Sequence, residues 1–390
     1  MIGLKLALQS LRNKLLFIFL LTLSQKLWAY PQFIGFGYKN CITCHYNPYG
    51  NGPLKDYGRA LSGTLISDRV LYSDKMTEED IGKKSGFTFR PPFNSWLRPS
   101  FDYRGLWLMR NLGDNESQWI NMQVDGNLVF KWGSRDQWYI SLTYGYTPTP
   151  HALEGEDVSN SRSREHYIAF RPIDKFGIYL GLMDIAYGIR IPDHIAASRE
   201  PLGLGQNDQT HGALLHYVSN TFEGGLHGFM GNLTQDEDLR QKGGSIKLEY
   251  AIGKYFKPGI SGLASKNDYL KKYLAAFHTK IGYPKGSATL FEFGMKRDEA
   301  ILIAEKKTML YLLYQNHMNL RRGLFGLFGL EYLKPNTSEE LNLLKFNLGL
   351  QYFLIQGVEL RADIFNSKTY QNNIHTDDVW DFLWQIHLWF

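Results

Sequence analysis

The chain has 390 residues, a formal net charge of +5, 15% aromatic residues and only two cysteines. With no basic block in it, nucleic acid is set aside as a partner, and two cysteines three positions apart close too small a loop to staple a fold of this size. The mean hydropathy is −0.31 and no run of eighteen apolar residues occurs beyond the first thirty positions, which excludes a bundle of membrane helices.

Residues 1–29 read as a secretory signal. Lys5, Arg12 and Lys14 supply the positive start, "LLFIFLLTL" the apolar centre and Ala29 the small residue before a cut, so the mature chain is expected to begin near Tyr30. Leu27, three positions before that cut, is large for its place, which keeps an uncleaved anchor as the alternative.

Both cysteines fall in "NCITCHYNPYGNG", residues 40–52. Cys41-Ile42-Thr43-Cys44-His45 has the spacing that receives one covalent haem c: two thiols add to the vinyl groups of the porphyrin, and the adjacent imidazole becomes the proximal ligand of the iron. Residues 30–95 are therefore expected to form a short haem-binding segment. Three readings compete with this one. A thioredoxin-like pair needs a βαβ surround, a zinc site needs two more ligands than this segment supplies, and an idle disulfide needs only an oxidising compartment. Asn47, Pro48, Gly50 and Gly52 suit a tight turn against a porphyrin edge, with Pro48 a weak candidate for cofactor contact and an ordinary loop as the alternative. A carbonyl in this turn would accept the second ring nitrogen of His45 and set its tautomer. A short helix is expected over 54–60.

From 96 to 390 the sequence breaks into segments of about ten residues with period-two alternation, the signature of a transmembrane β-barrel. Ile120, Met122, Val124, Leu128, Phe130 and Trp132 share one face, opposite Asn121, Gln123, Asp125, Asn127 and Lys131. Tyr273, Ala275, Phe277, Ile281 and Tyr283 do so against Lys272, His278 and Lys280. About sixteen such segments can be placed. Alternate connections are tight, at "GSRD" 133, "IDK" 173, "SN" 219, "PKG" 284, "NLRR" 319 and "IQG" 355, while 147–164, 189–208, 233–243 and 366–378 read as longer polar loops. The expected fold is all-β: an antiparallel barrel of about sixteen strands in the outer membrane, embedded in lipid, with both termini periplasmic. A soluble sandwich or propeller is the alternative, and the large aromatics along the more apolar faces argue against it.

In the last segment Trp380, Phe382, Trp384, Ile386, Leu388 and Phe390 share a face, opposite Asp381, Gln385 and His387. A terminal aromatic on such a strand resembles the C-terminal insertion signal of bacterial outer-membrane barrel proteins. His387 then faces the lumen near the periplasmic mouth and is a candidate distal iron ligand; Met76, the only methionine of the N-terminal segment, is the other, and His278 faces inward further along its strand.

Taken whole, Cys41, Cys44, His45, Asn47, Pro48, Gly50, Gly52, Tyr57 and Gly58 match a Cys-x-x-Cys-His-x-Asn-Pro-x-Gly-x-Gly motif followed by Tyr-Gly. In this the chain resembles a small group of bacterial proteins that carry one c-type motif ahead of an outer-membrane barrel. The resemblance implies haem binding and electron transfer at the cell envelope, with redox partners on the periplasmic side or on both sides of the membrane. The second expectation is a diffusion porin whose N-terminal segment is a plug or a periplasmic extension. No nucleophile-and-base spacing or phosphate loop points to an enzyme, although an open sixth position on iron would give weak peroxidase chemistry.

Overall fold

The computed structural model describes residues 31–90, 95–111, 116–146, 161–193, 195–372 and 374–390. The proposed signal at 1–29 lies outside the described residues. Sixteen antiparallel strands close into one barrel, each paired with its neighbours in chain order and the last with the first. They are β1 (Leu97–Arg110), β2 (Glu116–Trp132), β3 (Trp138–Tyr146), β4 (Ser161–Ile173), β5 (Phe176–Met183), β6 (Thr210–Val218), β7 (Phe222–Phe229) and β8 (Lys242–Tyr250). The second half comprises β9 (Phe256–Lys266), β10 (Leu270–Tyr283), β11 (Ser287–Ala300), β12 (Lys306–Arg321), β13 (Leu324–Lys334), β14 (Leu341–Ile355), β15 (Val358–Gln371) and β16 (Ile374–Trp389).

Closure depends on the seam between β1 and β16, paired from Asp102 against Trp389 to Met109 against Phe382. Phe101 and Phe390 exchange both backbone hydrogen bonds, at 3.1 and 3.0 Å, and so extend the ladder to the last residue. The alternation sorts the faces: Leu128, Tyr144, Leu180, Leu226, Ile260 and Phe277 are exposed outside, while Asp125, Glu165, His216, Lys257 and His278 are buried inside. An exposed apolar belt around a closed ladder is a surface built for hydrocarbon, because no backbone group is left unpaired at membrane depth. The chain is an outer-membrane barrel.

One expected loop is absent. Residues 366–378 belong mostly to β15 and β16, which pair as far as Gln371 with Ile374, so the two strands run on as a tall hairpin. The outer ends of these strands carry polar residues on both faces, which hides their alternation. The short connections fall where expected and mark the periplasmic end.

A sixteen-stranded barrel is too wide for its own side chains to fill. Here two pieces of chain enter it. Residues 31–90 pack into the periplasmic end through helix α1 (Gln32–Gly35), helix α2 (Asp56–Leu61) with a wider turn at Ser62–Ile66, and helix α3 (Glu78–Lys83). The expected helix over 54–60 thus lies slightly later. Polar bonds hold the segment to the wall: Arg98 to Asp56 at 2.5 Å, Arg322 to Glu78 at 2.6 Å, Arg321 to Asp68 at 2.8 Å and Gln356 to the Ser85 carbonyl at 2.9 Å. From the other side the 184–209 connection between β5 and β6 folds inward. Gly188 N–H donates to Ser261 at 3.0 Å, Ala197 N–H to Glu331 at 2.7 Å, and Arg361 pairs with Asp193 at 3.1 Å.

Helix α1 touches the wall backbone to backbone: a Cβ on Gly35 would fall 1.7 Å from the Ser287 nitrogen. Gly35→Val should therefore loosen the segment by about 1–3 kcal/mol or more, the range for overpacking. Limited proteolysis should then cut within 31–90 while the barrel keeps its heat-modifiable migration; an intact segment would refute this docking.

Candidate functional site

The Cys41–His45 motif lies inside the lumen. Cys41–Thr43 form a single 3₁₀ turn, and His45 N–H donates to the Cys41 carbonyl at 2.9 Å, which turns the thiols and the imidazole toward one side. The following residues close a tight turn, with Tyr49 N–H donating to the Asn47 side chain at 3.0 Å and Gly50 N–H to the Asn47 carbonyl at 3.2 Å. Gly50 has a φ of +85°, a conformation open to glycine. Gly58 of α2 lies against the motif, where a Cβ would be 2.6 Å from the Cys44 carbonyl oxygen. This packing explains why the glycine after Tyr57 is needed. The Asn47 amide donates to Glu165 of β4 at 2.9 Å.

Cys41, Cys44 and His45 open onto one cavity between the plug and the inward-folded loop. Its near wall is the closing seam, through Ser100, Asp102 and Arg104 of β1 and His387 and Trp389 of β16. Arg190 and Arg199 of the loop and Lys247 and Lys280 of the opposite wall complete it. Among the described residues, eight cationic side chains line this space against one carboxylate, Asp102, although Arg164, Arg190, Lys247 and Lys280 are paired with carboxylates behind the lining. Arg59, Arg104 and Arg199 each present a buried Nε with no hydrogen-bond partner among the described residues, as do the Ser62 and Ser100 hydroxyls. Buried polar atoms without partners are costly, so a site with this many is shaped for a ligand that supplies acceptors.

The chemistry of the motif follows from its surroundings. His45 Nδ1 lies 3.1 Å from the Asn51 carbonyl, and since a carbonyl only accepts, the proton sits on Nδ1 and the lone pair on Nε2. Burial pushes the imidazole down to about 4, so it is neutral at ordinary pH, the form that binds a metal. Burial raises the Cys44 thiol to about 12 and raises Cys41 as well, and the two sulfurs are not bonded to each other.

The other sequence candidates separate. His387 reaches the cavity. Met76 does not: it lies just ahead of the N-cap Thr77 of α3, its carbonyl bonded to Arg69. Pro48 is buried at the corner of the Asn47–Gly50 turn and does not line the cavity, so its part is to shape the turn. His278 is buried against Glu249 at 3.0 Å, away from the cavity. Arg104, Arg199, Asp102 and Glu359 carry no local sequence signal; they join the site only because distant strands and a loop converge there.

No family model matches the chain, and no curated protein matches it significantly. Solved structures of similar shape exist. A loop-L8 deletion mutant of OmpT, an outer membrane protein of Vibrio cholerae, has a TM-score of 0.61 at 10% identity, covering 75% of this chain and 99% of its own. The outer membrane channel DcaP of Acinetobacter baumannii has a TM-score of 0.57 at 10% identity, covering 75% and 97%. The anion-selective porin from Comamonas acidovorans has 0.56 at 8% identity, covering 75% and 99%. These are likenesses of the barrel fold, and they stand closer to the channel expectation than to the electron-transfer one. The Cys41–His45 motif rests on this chain's own residues.

The half-buried, neutral His45 makes the haem-free protein pH-sensitive. Its folded pKa, about 4, is below the usual 6.5, so the unfolded chain takes up the proton first. The contribution is complete above pH 6.5 and is lost as pH falls toward 4, by at most about 3 kcal/mol. In protein made without haem attachment, segment 31–90 should become protease-sensitive over that range, and His45→Gln should flatten the dependence; an equal acid response in both would refute it.

Proposed function

We propose that this chain is a porin-type outer-membrane barrel whose plug carries one covalent haem c and passes electrons at the cell envelope. The observation that carries the reading is the shared cavity of Cys41, Cys44 and His45 inside the lumen, with the imidazole proton committed to Asn51. Cys41 and Cys44 would tether the haem, and His45 Nε2 would bind its iron. Arg104 and Arg199, with buried guanidinium donors lacking partners, would face the propionate carboxylates. When bound, the haem supplies one-electron chemistry. The chain's own part is to exclude water, hold the ring against the closing seam and neutralise its acidic edge. Its redox partners would meet it through the plug on the periplasmic side and through the lumen on the other. A single haem covers little of a membrane about 30 Å thick, so any longer path needs further carriers.

Cys44 is buried and Cys41 half-buried, and both thiols are held protonated in the folded barrel, which makes them poor nucleophiles. The thioether bonds would therefore form before the segment docks, and haem added to folded, haem-free barrel should not attach covalently.

The likeness to channels favours a second reading, a porin with a cation-lined, anion-passing lumen and no cofactor. Haem staining of a denaturing gel separates the two. The first reading expects a stained band that disappears with Cys41→Ser/Cys44→Ser while barrel insertion is unchanged. An unstained wild-type band, together with ion conductance in planar bilayers, would overturn it in favour of the second.

A further inference from the structure

We infer that His387 of β16 is the second axial ligand of the haem iron, held in place by Glu359; this rests on the haem reading above. Among the described residues, His45 and His387 are the only histidines lining the cavity, and no methionine lines it. They enter from opposite partners, one from the plug and one from the barrel wall. Asp102 lines the same cavity as both and lies 3.7 Å from His387 Nε2.

The two imidazoles are prepared in the same way. His387 Nδ1 is 3.0 Å from the Glu359 carboxylate on the neighbouring strand, where Glu359 and His387 are direct cross-strand partners. A carboxylate accepts, so Nδ1 is the nitrogen that donates to Glu359 and Nε2 is the one that would bind the iron. Asp102 lies 3.7 Å from that nitrogen, within ion-pair distance. The Trp389 ring packs beside the imidazole at 4.8 Å and restricts its rotation. Glu359 is itself held by Gln351 at 2.6 Å, which receives Gln32 of α1 at 3.1 Å, so docking of the plug reaches the orientation of His387 through three hydrogen bonds.

The rival donors in the cavity are engaged elsewhere. Lys280 and Lys247 are held by Glu249 at 2.6 and 3.4 Å, and a lysine would have to surrender its proton beside that carboxylate to bind iron. Lys39 donates to the Gly253 carbonyl at 2.7 Å.

The test uses the purified full chain, with covalent haem measured on denaturing gels and iron coordination by absorption and low-temperature electron paramagnetic resonance. The wild type should be low-spin with the signature of two imidazoles. His387→Ala should keep its covalent haem, shift to high spin and admit carbon monoxide in the ferrous state; Met76→Ala should do neither. If the alanine variant fails to insert, His387→Met provides the second measurement, exchanging the two-imidazole signature for a histidine–methionine one. Glu359→Gln should stay low-spin and raise the midpoint potential, because a neutral partner withdraws less of the Nδ1 proton. Covalent haem with a high-spin wild type, or with identical spectra in wild type and His387→Ala, would overturn the ligand and leave the haem reading standing. No covalent haem in the wild type would overturn both.

Discussion

Closure of the ladder between β1 and β16 is the constraint from which the rest of this molecule follows. In hydrocarbon an unpaired strand edge is prohibitively costly, so the sheet must return on itself. Closing sixteen strands fixes a lumen wider than side chains can fill, and that lumen must hold water or chain. Here it holds chain, from the plug on one side and the β5–β6 loop on the other. The seam is also a wall of the cavity, so the residues that complete the barrel and those that form the candidate site stand on the same two strands.

The inner wall is polar by necessity of the alternation, and it meets the plug with charge. Glu249 alone receives Lys257 at 2.7 Å, Lys280 at 2.6 Å and His278 at 3.0 Å, while Glu223 is held by His216 at 2.9 Å and also by Lys257. Buried charges are tolerated when every partner is present, and removal of one leaves the others stranded. The docking pair of buried Arg98 with Asp56 follows the same rule, while Arg321 and Arg322 hold the plug from more exposed positions. An apolar plug would have desolvated this wall without return; a polar one shares its hydrogen bonds. Some exceptions lie at the cavity, among them the Nε groups of Arg59, Arg104 and Arg199 and the hydroxyls of Ser62 and Ser100.

The barrel's likeness to channel proteins and the motif's chemistry are not in conflict. A porin-type scaffold supplies a closed, lipid-compatible wall and a lumen, and neither specifies what the lumen contains. His45 stands in that lumen with its Nδ1 held by the Asn51 carbonyl, beside the thiols of Cys41 and Cys44.

Alternation of period two is a local property, and it was enough to place the sixteen strands, the short periplasmic turns and the inward direction of His278, Lys280 and His387. The tautomer of His45 could likewise be anticipated, since its carbonyl partner comes from the turn six residues on. The polar outer half of the β15–β16 hairpin could not, because strands beyond the lipid lose the apolar face that reveals them. The fate of the 184–209 connection was also hidden: its Gly188, Asp193 and Ala197 find partners on β9, β13 and β15, far away in sequence. The choice between Met76 and His387 belonged wholly to the tertiary structure. Thirty-one residues separate Met76 from His45 and more than three hundred separate His387 from it, yet barrel closure brings the distant one to the cavity and leaves the near one outside.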